Sequence, residues 1–467
     1  MKLLSSILNR FTPRQLLVLF ILAAADVFVI AAPYYIKNII PNLHTYLHIK
    51  EHNIAELTSV IGYVTLVTQL PGGFLANKFR SKYLLAGATF STGLITVWFA
   101  FNILNLSGLS YESLLVQYKI IFGLWGISST LIFWTPLWKL VSQQTTKENQ
   151  GLAYGLQGMM NGVLGFFLIF ALSLLFTQVW QPRAEGSAAP FATYAFIVAF
   201  YLLVTTALIV FLVPEKFTKS TEKLSWNKIK ENWNHILKAL SNWKLWMLSV
   251  FLLGMYTFQS VFAFYLLQMI ENAFLGPTIL VATLGGLRTY AMRVAISGYV
   301  GRLADKFRSY VLFLIIVLGI GIVLVGVMIL LPFGAKDRQQ NIALIVISSI
   351  IFVFVGLLSW IMVTLRYVQV GETKIEKSAY ASSIGILSFI GFSSDAWLYQ
   401  ITGYVGEKYT ADQEGHTSIV GYQIILLISL IIAFVGLMAG FIVFIANTRE
   451  LKRLGKTNYR WRELENV

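Results

Sequence analysis

The sequence predicts an all-α polytopic membrane protein with twelve transmembrane helices in two six-helix bundles. Three observations predict it. Of 467 residues, 57% are hydrophobic and only 12% charged, about half the roughly 25% charged share of a soluble domain. The apolar residues gather in runs of about 20–28 residues, not in the 3.6-residue stripe of a surface helix, and roughly 20 residues of helix cross the hydrocarbon of a bilayer. A nine-residue segment also occurs twice, at corresponding places in the two halves of the chain. One soluble core could not hide this much apolar surface, so lipid is the expected solvent.

The runs place spans near 14–38, 56–77, 83–105, 115–141, 151–178, 191–213, 245–270, 278–303, 309–331, 341–366, 378–402 and 419–446. The first run, from Leu16, is too long for the apolar region of a cleavable signal. Twelve spans put both termini on one side. With that side cytoplasmic, the outer segments carry only Lys37, Lys50, Arg183, Lys336, Arg338 and Lys408 of the 36 basic residues. Lys119, Arg288 and Arg293 fall within spans, and all the others lie inside, a bias that sets both termini in the cytoplasm of a cell (inner) membrane protein. The net charge of +15 is therefore a topology signal and lipid contact, not a nucleic-acid surface.

The expected domains are an N-terminal bundle over 1–213, a cytoplasmic linker over 214–244, a C-terminal bundle over 245–446 and a basic tail over 447–467. In the linker, Ile229, Trp233, Ile236, Leu237 and Leu240 share one helical face with Lys228, Lys230 and Lys238 elsewhere, the pattern of an amphipathic helix lying on the inner leaflet.

The repeat reads Gly73-Phe-Leu-Ala-Asn-Lys-Phe-Arg-Ser81 between spans two and three, and Gly301-Arg-Leu-Ala-Asp-Lys-Phe-Arg-Ser309 between spans eight and nine. An internal repeat at this separation marks a duplicated six-helix unit. Small residues at Gly73 and Ala76 allow close helix approach. The basic clusters, Lys78 and Arg80 in one copy and Lys306 and Arg308 in the other, pin the turns to the cytoplasm.

These segments resemble the loop signature of the major facilitator superfamily, and topology, length and linker position agree over the whole chain. The resemblance implies alternating access and assigns the motif's aspartate to the inner gate. Asp305 keeps that aspartate, whereas the first copy has Asn77. Three longer stretches, Phe122–Trp134, Leu287–Arg293 and Ile384–Asp395, resemble a bacterial branch near the organophosphate and sugar-phosphate transporters. That branch implies a small polar, anionic solute. The arginines of glycerol-phosphate exchangers in helices one and seven are absent.

A charge at the bilayer centre costs about 3 kcal/mol on insertion scales, so each needs a reason. Asp26, in the middle of span one, is the expected proton-binding carboxylate, the alternative being a structural hydrogen bond. Arg288 and Arg293 lie near the midplane of span eight. Five residues is about 140° on an α-helix, so they are not expected to share a face. One would meet an anionic solute or Asp26, and the other would hold span eight to its neighbours. Asp395, in span eleven, would pair with an arginine or serve an outer gate. Lys119 either snorkels at its helix end or stands for the arginine of the family's Arg-x-x-x-Gly motif, without the bidentate fork. Tyr34, Tyr35, Trp134 and Trp138 are cavity candidates among aromatics that mostly face lipid. Gly155, Gly158, Gly162 and Gly165 form a small-residue seam on span five.

Without cysteine, thiolate metal sites and disulfides are excluded. No phosphate-binding loop of the ATPase type occurs, so neither ATP nor another cofactor is expected and the chain does not read as an enzyme. His44, His48 and His52 could share a face, but only Glu51 and Glu56 lie near them in sequence, and no metal is expected. The sequence thus points to a secondary active transporter, acting as a monomer. It would move a small polar, anionic solute by symport or antiport with protons or a counter-solute. A lipophile or multidrug exporter is the alternative, with fewer midplane charges expected of it and a Gly-Pro element that span five lacks.

Overall fold

The computed structural model describes residues 11–144, 150–184, 187–215, 240–297, 300–304, 306–373 and 380–455. The predicted amphipathic linker helix falls almost wholly outside the described residues, as does the end of the basic tail. Among the described residues every regular element is helical apart from an isolated bridge between Thr410 and Thr417.

Ten described helices are long and apolar enough to cross a membrane. They are α1 (Pro13–Ile39), α3 (Ser81–Leu104), α4 (Tyr111–Ser142), α5 (Leu152–Arg183), α6 (Ala189–Leu212), α7 (Trp243–Ala273), α8 (Thr278–Ile296), α9 (Tyr310–Leu330), α10 (Ile342–Leu365) and α12 (Ile419–Arg453). The other two predicted spans are also helical. One is α2 (Glu51–Lys78), with Pro71 inside it. The other, α11, comes in two pieces, Tyr380–Gly391 and Ser394–Lys408, parted by a turn at Phe392–Ser393. The last helix runs past the apolar stretch to Arg453, placing Lys452 and Arg453 in its final turn, where cations suit the helix dipole.

Polar residues at the ends of the apolar runs start the helices. Thr12 and Gln15 form a reciprocal capping box on α1, and Ser110, Asn242, Ser309, Asn341 and Ser418 cap α4, α7, α9, α10 and α12. Each cap satisfies a backbone N–H that lipid could not.

The chain forms two compact units, Met1–Thr218 with Gly276–Val294 and Asp412–His416, and Lys219–Leu275 with Ala295–Ala411 and Thr417–Val467. In the first, α1 packs on α5 and α6, and α3 on α4 and α6. In the second, α7 packs on α11 and α12, and α9 on α10 and α12. The pairings recur at an offset of six helices, so the duplication seen in nine residues extends to the packing.

Each unit is filled by aromatics. Phe99 meets Trp125 at 5.0 Å and Tyr118 at 5.8 Å between ring centroids in the first, and Phe258 meets Phe262 at 4.7 Å in the second. Gly254 on α7 and Gly436 on α12 bring backbones together: a Cβ on Gly254 would lie 2.9 Å from the Gly436 Cα. Such approach maximises dispersion where lipid offers no hydrophobic drive. Large apolar side chains face outward, Phe333 at 90% and Phe211 at 81% exposure, as an integral membrane protein requires.

Candidate transport site

The first unit holds a polar cluster at the depth where charge is most costly. Asp26 follows Ala23, Ala24 and Ala25 on α1 and is 1% exposed. The Gln157 Nε2 donates to its Oδ2 at 2.9 Å, and the Arg293 Nη2 lies 3.6 Å from the same oxygen. Arg293 Nη1 donates to Asn161 Oδ1 at 2.6 Å. Gln157 and Asn161 are one helical turn apart on α5, which puts both amides on the face that meets α1 and α8. Buried charge here is paired and hydrogen-bonded, the condition under which it is tolerated.

The α8 backbone explains how Arg293 arrives there. Leu287–Ala291 is a π-turn, with Met292 N–H bonded to the Leu287 carbonyl five residues back. The 140° separation expected of Arg288 and Arg293 assumed an unbroken α-helix, and the π-turn between them departs from that geometry. Arg288, 2% exposed, is buried in the turn itself.

The expected glycine seam is half right. Among the described residues, a Cβ on Gly155 or Gly158 meets nothing within 4 Å, whereas one on Gly162 would strike Val294 and one on Gly165 the Tyr290 ring at 2.1 Å. Gly286 on α8 likewise faces the Phe170 ring. These contacts press α5 against α8 beside the charged cluster.

The other candidates are distributed. The Tyr34 hydroxyl lies 3.0 Å from Ser129 Oγ and 3.4 Å from Thr65 Oγ1, and Tyr35 meets Tyr290 edge-on at 6.0 Å. Trp134 and Trp138 stack at 6.3 Å. Lys119 pairs with Glu56 at 2.5 Å, both about a third exposed, so its nearest charge belongs to α2. Asp395 belongs to the second unit, where the Tyr256 hydroxyl donates to it at 2.7 Å.

Of the gate motifs, the burial of Gly73 and Gly301, the side chain of Asn77 and all of Asp305 lie outside what is described, while Lys78, Arg80, Lys306 and Arg308 are exposed. What the motifs lead into is clear. Backbone N–H groups of Ser81 and Lys82, at the start of α3, donate to Glu215 at 2.7 and 3.2 Å. At the start of α9, Tyr310 N–H, Val311 N–H and Ser309 Oγ all donate to Glu372. In both copies a carboxylate distant in sequence caps the following helix. Burial pushes the Glu372 carboxyl up to about 7, against these hydrogen bonds, which favour its charged form.

Gln157, Asn161, Glu215 and Glu372 were not among the sequence candidates. The i, i+4 amide pair on an apolar helix was the one available signal for the first two. The two glutamates offered none.

The family model for the Major Facilitator Superfamily matches residues 15–397. The chain belongs to that superfamily. It is a transporter rather than an enzyme. It is 59% identical over 465 residues to a Mycoplasma pneumoniae protein described as "Uncharacterized protein MG294 homolog", covering 98% of each chain. It is 22% identical to the inner membrane protein YihN of Escherichia coli, over 84% of this chain and 87% of that one. Among solved structures, the nucleoside transporter NupG superposes with a TM-score of 0.60 at 15% identity, covering 93% of this chain and 99% of that one. A bacterial homologue of the human lysosomal transporter Spinster, inward-facing and unoccupied, gives 0.64 at 12% identity, covering 94% and 98%. At these identities the superpositions speak for the fold.

Proposed function

We propose that this superfamily member is a secondary active transporter of a small polar, anionic solute, coupled to protons through Asp26. The Asp26–Arg293 pair, held by Gln157 and Asn161, carries the reading. An ionised Asp26 occupies the Arg293 charge. A proton on Asp26 removes that attraction and frees the guanidinium for an anionic group of the solute, so proton and anion would be carried together. Arg288, buried one π-turn away, would add a second cationic group. Alternating access would expose this cluster to each side in turn, with both termini in the cytoplasm, as the basic-residue bias supports.

Uptake of a labelled solute panel into proteoliposomes, with and without an imposed pH gradient, tests this reading. Full gradient-driven accumulation by Asp26→Asn would reject proton coupling. Unchanged apparent affinity for anionic solutes in both Arg288→Ala and Arg293→Ala would reject their role as ligands.

A further inference from the structure

His44 meets a loop more than 350 residues away in sequence. Its Nε2 lies 3.3 Å from the Nε2 of His416, with the rings edge to face at 5.2 Å. Both imidazoles are buried, at 4% and 6% exposure. The loop reads Asp412-Gln-Glu-Gly-His416. Gly415 at φ +85° makes the turn that folds its acidic donors back on the histidine, and a Cβ there would lie 3.2 Å from the Lys50 stem. The other ring nitrogen of His416, Nδ1, is 2.8 Å from Asp412 Oδ2 and 3.7 Å from Glu414 Oε2. One donor atom from each of the three residues lies within 4.8 Å of the others. All four residues belong to the first unit.

We propose that Asp412, Glu414 and His416 Nδ1 bind a divalent transition-metal ion, with His44 as the partner that orients the imidazole. Two carboxylates and a neutral imidazole carry two negative charges, which a divalent ion balances. One nitrogen and two oxygens suit zinc or manganese rather than a soft ion. A histidine that coordinates through Nδ1 must keep its proton on Nε2, and that N–H needs an acceptor. His44 Nε2 is placed to accept it, the outer-shell arrangement that fixes the ring and raises metal affinity. A bound ion would tie the loop before α12 to the turn that follows α1.

The test uses the full-length, untagged transporter in detergent, freed of metal. Zn²⁺ is titrated calorimetrically and Mn²⁺ by electron paramagnetic resonance. The expected result is one saturable site, weakened about 10- to 100-fold in Asp412→Asn and His416→Ala and unchanged in His48→Ala, whose imidazole is exposed nearby. Glu414 is 77% exposed, so Glu414→Gln keeps the fold and should still weaken binding. Absence of saturable binding of either ion would overturn the proposal. So would affinity retained in both Asp412→Asn and Glu414→Gln, including the case in which only His44→Ala abolishes it.

Discussion

The guanidinium of Arg293 stands 3.6 Å from the carboxylate of Asp26, with an α5 amide on each partner. Removing one member of such a pair strands the other charge, a loss of about 3–5 kcal/mol for buried pairs. Asp26→Ala and Arg293→Ala should each lower the melting temperature in detergent clearly. The double variant Asp26→Asn/Arg293→Gln, neutral on both sides, should recover most of the stability and none of the gradient-driven uptake. Equal melting temperatures for the single and double variants would show that the pair holds no uncompensated charge.

Two glycines at the contact of α5 with α8 are predicted to matter, and two others on α5 not. Gly165→Leu would drive a side chain into the Tyr290 ring, and Gly286→Ala would meet Phe170. Overpacking of this kind costs about 1–3 kcal/mol or more, read as lost monodisperse yield in size-exclusion chromatography. Gly155→Ala and Gly158→Ala, with open space at the Cβ, should be neutral or slightly stabilising.

Asp26 was legible because a carboxylate in an apolar run has no ordinary explanation. Arg293 was legible for the same reason, but which of the two α8 arginines would meet Asp26 was not, since spacing fixes only their separation and not which face turns to α1. Gln157 and Asn161 are neutral amides that a membrane helix tolerates, so only their i, i+4 spacing lifts them above their neighbours. The ten long apolar helices follow from run length alone. The pairings of Glu215, Glu372 and His416 depend on segments brought together from afar, and no local periodicity encodes them.

Glu372 should give stability a pH dependence. Its carboxyl titrates near 7 when folded against an ordinary 4.5, so between those values the folded state holds a proton that the unfolded chain has released. Stability should therefore fall as pH rises from about 4.5 to about 7, by at most roughly 1.4 kcal/mol per pH unit. It should level off on either side. Melting temperature measured across that range should slope downward for the wild type and less steeply for Glu372→Gln. An identical slope in the variant would assign the dependence to another group.

The α3 cap has a simpler expectation. Glu215→Ala removes the acceptor of the Ser81 and Lys82 N–H groups, and loss of a helix cap costs about 0.5–2 kcal/mol. Glu215→Gln keeps one acceptor and should lose less. Thermal unfolding of the two variants, side by side, checks the order.

The π-turn over Leu287–Ala291 carries one residue more than an α-helix would need to cover the same rise. Deleting any one of these five residues would let the helix close as ordinary α without leaving a gap, so the span would still insert. The wide turn takes up that residue within one rotation, so the side chains beyond it would keep nearly the same faces and Arg293 would still turn toward Asp26. A deletion in the α-helical part of α8 before it has no such slack and would swing every later side chain by about 100°, turning Arg293 away. The π-turn is thus the one stretch of α8 where chain length can change without rewiring the charge pairing.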